Sequence, residues 1–285
     1  MYVDLLGEQP EQRDHILLAT CQRIEIYAQK NENPFAELGI PFRHIAGLVD
    51  VRKRLITIAC GITSQILGEK NIWLQVRNAS RDLPGAHPLK LLFDEALDAA
   101  KQIRKTTGFA AEMDYEDVSI HMLNDACPEE LRGRLDLLII GSGMLARSFL
   151  GKDVQALYKN VYFITRSPKN LKKKLDDTLK KNVLRAEDVL QSVSRPFHCI
   201  IASNNLGKDG YNESLRDIIT LELCAGVFDL SAVPIFQDYV RAVSYLDTYS
   251  DSYLSCVARA NRKMQSAAER VLSIIEERVP DLMIA

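Results

Sequence analysis

Two short hydrophobic runs near the N-terminus are separated by a polar junction. The apolar run Ile16–Ala19 stops at Thr20-Cys21-Gln22-Arg23, and the alternating run Ile24–Ala28 follows. Runs of this length and pattern are typical of strands. The sequence therefore predicts two strands that meet at a polar junction, and the segment His44–Asp50 predicts a further short strand.

Helical periodicity begins at Val51. Apolar residues recur at helical spacing from there to Ile62, and Gly61 is expected to end that helix. Further helices are predicted over Ile72–Ala79 and from about Pro88 to Thr107. The basic end of the last helix fits two explanations, which are favourable placement of cations at a helix C-terminus and contact with an anionic partner. Its basic residues are Lys101, Arg104 and Lys105.

The second half of the chain alternates hydrophobic strands with helical segments. Its strand-like runs cover residues 135–140, 161–164, 198–202, 226–230 and 242–246, and residues 252–279 predict one long helix. Continuous apolar runs of four to six residues are typical of a parallel sheet that is buried on both faces. The long helix is expected to pack its apolar face across both domains or against another chain.

A glycine-containing turn follows the first of these strands. Gly141-Ser142-Gly143-Met144-Leu145-Ala146 has the pattern G-x-G-x-x-A, with a helix predicted through Leu150. Such glycines let the backbone approach a pyrophosphate, and the helix N-terminus supplies free N–H groups. The next strand ends at Thr165-Arg166-Ser167, where an acidic residue would indicate NAD(H) and an arginine favours the 2′-phosphate of NADP(H). The segment therefore predicts a Rossmann-like domain that binds NADPH.

Composition and charge exclude several classes of protein. The chain has 285 residues, of which 47% are hydrophobic, so it can form ordinary cores. Its 36 basic and 38 acidic residues nearly cancel, so net charge gives no argument for nucleic-acid binding. The sequence shows no signal peptide, no apolar run long enough to cross a membrane and no Cys/His cluster with metal-ligand spacing. We therefore expect a cytoplasmic protein without a metal site.

Cys21 is the one cysteine whose sequence neighbours suggest chemistry. It lies between a hydroxyl residue, Thr20, and a cationic residue, Arg23. Cationic surroundings lower a cysteine pKa, and the thiolate is the nucleophilic form. A small buried cysteine with no chemical role is the alternative explanation.

Motifs in both halves of the chain carry a resemblance to the glutamyl-tRNA reductase family. The segment from Thr20 to Tyr27 resembles that family's Thr-Cys-Asn-Arg-x-Glu-x-Tyr motif, and residues 59–69 resemble its Ala-Ser-Gly-Leu-Asp-Ser-x-x-Leu-Gly-Glu segment. The glycine turn at Gly141, the Thr165–Ser167 segment and the Asp229–Pro234 segment are similar to the family's cofactor domain. Order and spacing agree from about residue 16 to 270.

The resemblance implies a fold and an activity. The fold class is α/β, with an N-terminal α+β catalytic domain over residues 1–110, a Rossmann-like NADP-binding domain with a parallel sheet over 111–248, and a long C-terminal helix over 249–285. The implied activity is the NADPH-dependent reduction of glutamyl-tRNA to glutamate-1-semialdehyde through a cysteine thioester, the first step of tetrapyrrole (haem) biosynthesis. The next enzyme of that route, an aminomutase, and a second copy of the chain are implied partners.

The resemblance also implies residue roles. Cys21 is the expected nucleophile, and Arg54 stands where the family usually has an active-site histidine. The cofactor would contact the residues of the glycine turn together with Thr165, Arg166 and Ser167. The residues expected to bind the substrate are Thr20, Gln22, Arg23, Ser64, Glu69, Lys70, Asn71 and Gln75.

Departures from the family pattern leave two other hypotheses open. Lys70-Asn71 replaces a Pro-Gln pair, the family's opening strand has no evident match, and its helical dimerisation domain is not expected in this chain. One hypothesis is a divergent reductase of another aminoacyl or acyl thioester. The other is a non-catalytic regulator that binds haem, tRNA or a cofactor on the same scaffold. Arg54 favours these hypotheses, and the intact motifs at Cys21 and Gly141 favour the reductase.

Overall fold

The chain divides into two compact units. A computed structural model describes residues 15–20, 23–29, 43–202, 211–231, 236 and 244–278. We call Tyr115–Cys256 the sheet unit, and Tyr2–Asp114 together with Val257–Ala285 the hairpin unit. The domain limits at 110/111 and 248/249 stay predictions, since these units define compactness rather than independent domains.

The hairpin unit combines a two-stranded sheet with helices. The strands pair antiparallel, with Ala19 opposite Ile24 at the junction and His15 opposite Ala28 at the far end. The two strands predicted on either side of the polar junction are therefore present. The elements are β1 (His15–Ala19), β2 (Ile24–Ala28), α1 (Leu48–Cys60), α2 (Asn71–Ala79) and α3 (Pro88–Thr107).

One core holds this unit together. Leu18 of β1 and Tyr27 of β2 are buried against helix residues, and the Tyr27 ring meets Phe93 of α3 edge-on at a centroid distance of 5.0 Å. Ile58 of α1 and Val76 of α2 are fully buried in the same cluster. Burial of a large aliphatic side chain contributes about 1.5–3 kcal/mol, so this apolar cluster positions the hairpin on the helices.

The strand predicted over His44–Asp50 is wrong. Residues 43–46 have no regular structure, and α1 begins at Leu48. Gly47 precedes the helix with φ +95°, a left-handed backbone that favours glycine. Val51 and Leu55 pack on the core at helical spacing. The helix that contains them begins about one turn before Val51, where the sequence pattern placed its start.

The sheet unit contains a six-stranded parallel sheet in the order β5-β4-β3-β6-β7-β8. This is the doubly wound arrangement of Rossmann-like folds, in which strand order reverses beside the first strand. The strands are β3 (Asp136–Ile140), β4 (Val161–Ile164), β5 (Val183–Leu184), β6 (Phe197–Ile201), β7 (Cys224–Asp229) and β8 (Ser244–Asp247). The helices are α4 (Tyr115–Ala126), α5 (Met144–Ser148), α6 (Lys152–Leu157), α7 (Pro168–Lys172), α8 (Asp177–Lys180), α9 (Val189–Ser192) and α10 (Tyr211–Ile219).

The central strands β3 and β6 are buried along their whole length. His198 is the polar exception in β6. One of its ring nitrogens, Nδ1, lies 2.9 Å from the Tyr158 hydroxyl, and burial lowers the pKa of His198 to about 4. The imidazole is therefore neutral at pH 7 and serves as a buried hydrogen-bonding group in the sheet.

The helix after the glycine turn is shorter than predicted. It ends at Ser148 rather than continuing through Leu150, and α6 begins at Lys152, after three intervening residues. Phe149 is fully buried, and Gly151 has extended backbone at φ −53° and ψ 144°. The backbone at Gly151 breaks the helical path, so the predicted single helix becomes two short ones.

The last helix, α11 (Asp251–Arg278), forms one long element as predicted. Tyr253 is buried in the sheet unit and meets Phe228 edge-on, and Val271 and Ile275 are buried in the core of the hairpin unit. None of the helices in the described ranges is both long and apolar enough to cross a membrane.

Candidate active site and cofactor site

The polar junction of the hairpin is closed by hydrogen bonds between its two flanking residues. The Thr20 backbone N–H donates to the Arg23 carbonyl at 2.9 Å, and the Arg23 N–H donates to the Thr20 hydroxyl at 3.2 Å. Cys21 and Gln22, the predicted nucleophile and its neighbour, lie outside the described residues. Thr20 and Arg23, on either side of them, are the described residues of this junction.

Arg23 connects the hairpin to the turn that follows α1. One of its guanidinium nitrogens, Nη2, donates to the backbone carbonyl of Thr63. Ser64, a predicted substrate residue, comes directly after Thr63. The structure therefore brings the Thr20–Arg23 junction and the start of the 64–69 turn together, although 40 residues separate Arg23 from Thr63.

Arg54 contacts the hairpin through Glu25. Its Nη2 lies 2.6 Å from one Glu25 carboxylate oxygen, and the other oxygen accepts a hydrogen bond from the Tyr27 hydroxyl at 2.8 Å. Burial, followed by the negative charge of Glu25, raises the pKa of Tyr27 well above its usual value, so this hydroxyl keeps its proton. Arg54 is thus a paired cation near the junction end of the hairpin rather than a proton-transferring group.

Backbone hydrogen bonds and one arginine hold the 64–69 turn. Arg104 of α3 donates to the Gly68 carbonyl at 2.7 Å and to the Glu69 carbonyl at 3.0 Å. The Gly68 N–H donates to the Gly61 carbonyl, and the Ala111 N–H donates to the Gly68 carbonyl, both at 3.1 Å. A side chain on Gly68 would lie 3.0 Å from the Ala111 nitrogen, so the close approach of these backbones requires glycine.

Glu69 points into the protein. It is 2% exposed, and its carboxylate accepts from the Asn71 backbone N–H at 2.6 Å, at the start of α2. Burial raises the pKa of Glu69 to about 7. Lys70 is exposed and forms an ion pair with Asp114 at 2.7 Å. In this arrangement Glu69 stabilises the start of α2, and it is a titratable group close to neutral pH.

Three buried polar atoms near the turn lack hydrogen-bond partners in the described part of the chain. They are Thr63 Oγ1, Asn71 Nδ2 and Gln75 Oε1. Asn71 and Gln75 are four residues apart on α2, so their side chains share one face of that helix. An unpaired buried polar atom costs about 1–3 kcal/mol, which is a reason to expect these atoms to meet a polar ligand.

The two glycines of the dinucleotide motif have different surroundings. A Cβ on Gly141 would lie 2.5 Å from the Ala202 carbonyl oxygen at the end of β6, and Gly141 has φ +133°. A Cβ on Gly143 would meet no atom of the described residues within 4 Å. Gly141 is therefore required by the fold, whereas Gly143 borders open space where a pyrophosphate could approach the turn.

Ala146 is fully buried, and α5 begins at Met144. Ser142 and Leu145 complete the motif and are partly exposed. The turn lies between the ends of β3 and β6, which is where the strand order of the sheet reverses. Ligands of doubly wound sheets bind at this position, so the observed geometry fits a dinucleotide.

A basic cavity of about 510 Å³ lies beyond the carboxyl ends of β4 and β5. Thr165 is 5% exposed, and its hydroxyl accepts from the Ser167 N–H at 3.2 Å, which shapes the loop. Among the described residues, no acidic side chain lines the cavity. Its lining residues are Arg166, Ser167, Pro168, Lys169, Asn170 and Arg185. Three cations around an open cavity fit the 2′-phosphate of NADP(H).

Sequence reasoning missed two of the residues that build these sites. Arg185 follows β5 and lines the basic cavity. With only two residues, β5 is too short to be recognised from a hydrophobic pattern. Asn261 lies on α11 and hydrogen-bonds to the 64–69 turn, 196 residues from Gln65. Neither residue belongs to a local motif. The basic residues at the end of α3 differ in their surroundings. Arg104 donates hydrogen bonds to the 64–69 turn, whereas Lys101 and Lys105 are exposed.

Comparison with known proteins gives a family model and several relatives by sequence similarity. Residues 2–107 match the family model described as "Glutamyl-tRNAGlu reductase, N-terminal domain". "Protein nfe2" of Rhizobium meliloti is 28% identical over 280 residues, which cover 93% of this chain and 86% of that protein. The glutamyl-tRNA reductase of Thermosipho melanesiensis is 26% identical over 196 residues, covering 66% of this chain and 51% of that protein.

The six-stranded parallel sheet of Rossmann-like order and the α+β hairpin unit define the class of protein, an α/β protein with a second α+β unit. Over residues 2–107 the chain is similar to the N-terminal domain of the glutamyl-tRNA reductase family, and several of its relatives are glutamyl-tRNA reductases. It covers about half of the Thermosipho reductase and 44% of the Alkaliphilus oremlandii reductase, to which 151 residues are 32% identical. The solved glutamyl-tRNA reductase from Methanopyrus kandleri aligns with 94% of this chain and 71% of its own at 19% identity, but a TM-score of 0.35 supports no conclusion about the site.

Proposed function

We propose that this protein reduces glutamyl-tRNA to glutamate-1-semialdehyde with NADPH, through a thioester on Cys21, as the first step of tetrapyrrole biosynthesis. The observation that carries this proposal is the hydrogen bond from Arg23 to the Thr63 carbonyl. This bond brings the hairpin junction, whose motif contains Cys21, to the start of the turn that contains Ser64 and Glu69. Residues from two separate family motifs thereby form one candidate substrate site.

The chemistry of the first step follows from the residue types. The Cys21 thiolate attacks the ester carbonyl of glutamyl-tRNA, a carbon–sulfur bond forms, and the bond to the tRNA 3′ oxygen breaks. The departing oxygen takes up a proton, and the free tRNA leaves. A thioester accepts a hydride more readily than an ester does, so one difficult reduction becomes two easier steps. The hydride supplied by bound NADPH would then release the aldehyde and regenerate the thiolate.

The protein's residues would bind and orient the glutamyl group. An arginine guanidinium matches a carboxylate in shape and charge, so we assign Arg23 to the side-chain carboxylate of the substrate. The partnerless Gln75 Oε1 and Asn71 Nδ2 atoms are suited to the polar atoms of the same group. Ser64 is the partly exposed residue at the start of the turn, and Thr20 shapes the junction through its hydroxyl.

The sheet unit would hold NADPH. The open space at Gly143 suits the pyrophosphate, and Arg166 with Arg185 suits the 2′-phosphate. Five further residues form the frame of this site: Gly141, Ser142, Ala146, Thr165 and Ser167. Arg166 and Arg185 favour NADPH over NADH, because the 2′-phosphate of NADPH carries negative charge and the free 2′-hydroxyl of NADH does not.

Product analysis tests the proposal. Purified protein is incubated with glutamyl-tRNA, with and without NADPH, beside the variants Cys21→Ser and Cys256→Ser. We expect semialdehyde with NADPH and glutamate release or an acyl-enzyme without it. Cys256 is a partly exposed cysteine, so Cys256→Ser should behave as the wild type while Cys21→Ser is inactive. No cleavage of glutamyl-tRNA by the wild type would contradict the proposal, and cleavage of a different aminoacyl-tRNA would replace the substrate.

A further inference from the structure

Asn261 of α11 makes two hydrogen bonds to the backbone of the 64–69 turn. Its side-chain Nδ2 donates to the Gln65 carbonyl at 2.6 Å, and its Oδ1 accepts from the Leu67 N–H at 3.0 Å. Both partners belong to the hairpin unit, as does Asn261. One side-chain amide therefore engages an acceptor and a donor that are two residues apart in the turn.

This pairing fixes the backbone around Ile66. A side-chain amide that bonds a carbonyl at one position and an N–H two positions later replaces the contacts that a neighbouring strand would make. Ile66 is 2% exposed, so its side chain is buried while its flanking backbone is held by Asn261. The conformation of the turn is thus set at its centre by Asn261 and at its end by Arg104.

The position of Asn261 is itself fixed by packing of α11. Ala268, Val271 and Ile275 of this helix are buried in the core of the hairpin unit. Lys263 also pairs with Glu112 at 2.9 Å, but both side chains are more than half exposed, so this ion pair contributes little to the position of the helix. Lys53 of α1 pairs with Glu276. The buried contacts make the helix a rigid support, so a residue near the end of the chain can determine the shape of a turn near its beginning.

We propose that Asn261 is a positioning residue for the substrate site, because it holds the turn in the conformation that presents Ser64 to the glutamyl group. This inference rests on the proposed function. It predicts that loss of the Asn261 amide weakens glutamyl-tRNA binding through Ser64 and leaves the NADPH site, which belongs to the sheet unit, unaffected.

The experiment compares Asn261→Ala with Asn261→Asp and with the control Lys263→Ala. Lys263 lies two residues from Asn261 on the same helix, and its ion pair is exposed. Hydrogen exchange at the Leu67 amide, measured by NMR, reports the bond directly. We expect exchange to be at least tenfold faster in Asn261→Ala and unchanged in Lys263→Ala. Asn261→Asp keeps the acceptor for the Leu67 N–H but places a carboxylate against the Gln65 carbonyl. We therefore expect Asn261→Asp to bind glutamyl-tRNA little better than Asn261→Ala does.

Kinetics then separate positioning from general destabilisation. We expect Asn261→Ala to raise the KM for glutamyl-tRNA by about tenfold and to leave the Kd for NADPH unchanged. The double variant Ser64→Ala/Asn261→Ala should bind no worse than Ser64→Ala, since Asn261 acts through the turn. Additive losses, or an unchanged KM, would overturn the inference.

Failure of this inference can be told from failure of the proposed function. Unchanged Leu67 exchange in Asn261→Ala contradicts the turn-holding role, whatever the enzyme does. If Asn261→Ala speeds exchange at the Leu67 amide but the wild-type protein does not cleave glutamyl-tRNA, the turn-holding role of Asn261 stands. The proposed function and the substrate role of Asn261 are then contradicted.

Discussion

The guanidinium of Arg54 lies 2.6 Å from a carboxylate oxygen of Glu25, across the interface between α1 and β2. The family resemblance places a histidine at this position, and a histidine could exchange a proton near neutral pH. An arginine keeps its charge, and here that charge is paired with Glu25. The catalytic contribution of Arg54 is therefore expected to be electrostatic.

Alkylation of Cys21 tests that electrostatic role. A positive charge near a thiol lowers its pKa, so Arg54→Ala should move the pH midpoint of Cys21 alkylation upward by about one pH unit. Glu25→Gln leaves Arg54 without its counter-charge and should move the midpoint downward. The rate of iodoacetamide labelling at Cys21, followed by peptide mass spectrometry, measures both shifts. Equal midpoints in all three proteins would remove Arg54 from the site.

The two motif glycines provide a matched pair of variants. Gly141→Ala places a Cβ 2.5 Å from the Ala202 carbonyl at a backbone angle that disfavours alanine. It should destabilise the sheet unit by about 2–4 kcal/mol or prevent its folding. In Gly143→Ala the new Cβ meets no atom of the described part of the chain within 4 Å, and φ is −69° at this position, so the melting temperature should stay near that of the wild type.

The same pair tests the pyrophosphate position. A methyl group on Gly143 would occupy the space that a pyrophosphate needs, so Gly143→Ala should weaken NADPH binding at least tenfold while the protein stays folded. Isothermal titration with NADPH, beside a thermal melt, gives both quantities. Normal NADPH affinity in Gly143→Ala would move the cofactor away from this turn.

Arg185 is expected to select NADPH together with Arg166. Both line the basic cavity beyond β4 and β5. Arg185→Ala should raise the Kd for NADPH about tenfold and change the Kd for NADH less than twofold, because only NADPH carries the 2′-phosphate. Lys159→Ala, a cation outside the cavity lining, is the control. Parallel losses for the two cofactors would place Arg185 outside the 2′-phosphate site.

Glu69 gives the hairpin unit a pH-dependent stability. Burial raises its pKa from 4.5 in the unfolded chain to about 7 in the folded protein. The folded state therefore holds this proton more tightly, and its stabilising contribution is complete below pH 4.5 and is lost as pH rises to about 7. The full difference is about 3 kcal/mol.

Trp73, the single tryptophan of the chain, lies on α2 and reports this unit. Urea unfolding followed by its fluorescence should show that Glu69→Gln removes most of the stability loss between pH 5 and pH 8. A wild-type pH dependence that persists unchanged in Glu69→Gln would assign it to another group.

Much of the fold was predictable because its signals are local. The strands beside Cys21 and the strand before Gly141 follow from hydrophobic runs, and the long last helix follows from its periodicity. The strand predicted at His44–Asp50 failed because one short apolar stretch fits both a strand and the first turn of a helix. The break after Ser148 depends on the extended backbone at Gly151, and the periodicity of apolar residues does not report backbone conformation at a single residue.

The candidate site was only partly predictable for a different reason. Motif residues such as Arg23 and Gly143 are visible in the sequence because their neighbours complete a pattern. Asn261 and Arg185 become part of a site only through tertiary contacts, with a turn far away in sequence and with a cavity between two strand ends. The inward orientation of Glu69 likewise depends on its hydrogen bond to Asn71.

The central claim is that Cys21 accepts a glutamyl group from tRNA, and intact-protein mass spectrometry tests it most directly. Protein is mixed with glutamyl-tRNA without NADPH, quenched in acid and mapped by peptide analysis. We predict a mass increase of one glutamyl group on Cys21, absent in Cys21→Ser, present in Cys256→Ser and removed when NADPH is added before the quench. An unmodified Cys21 in protein quenched during its first turnover of glutamyl-tRNA, or no consumption of glutamyl-tRNA at all, would contradict the account.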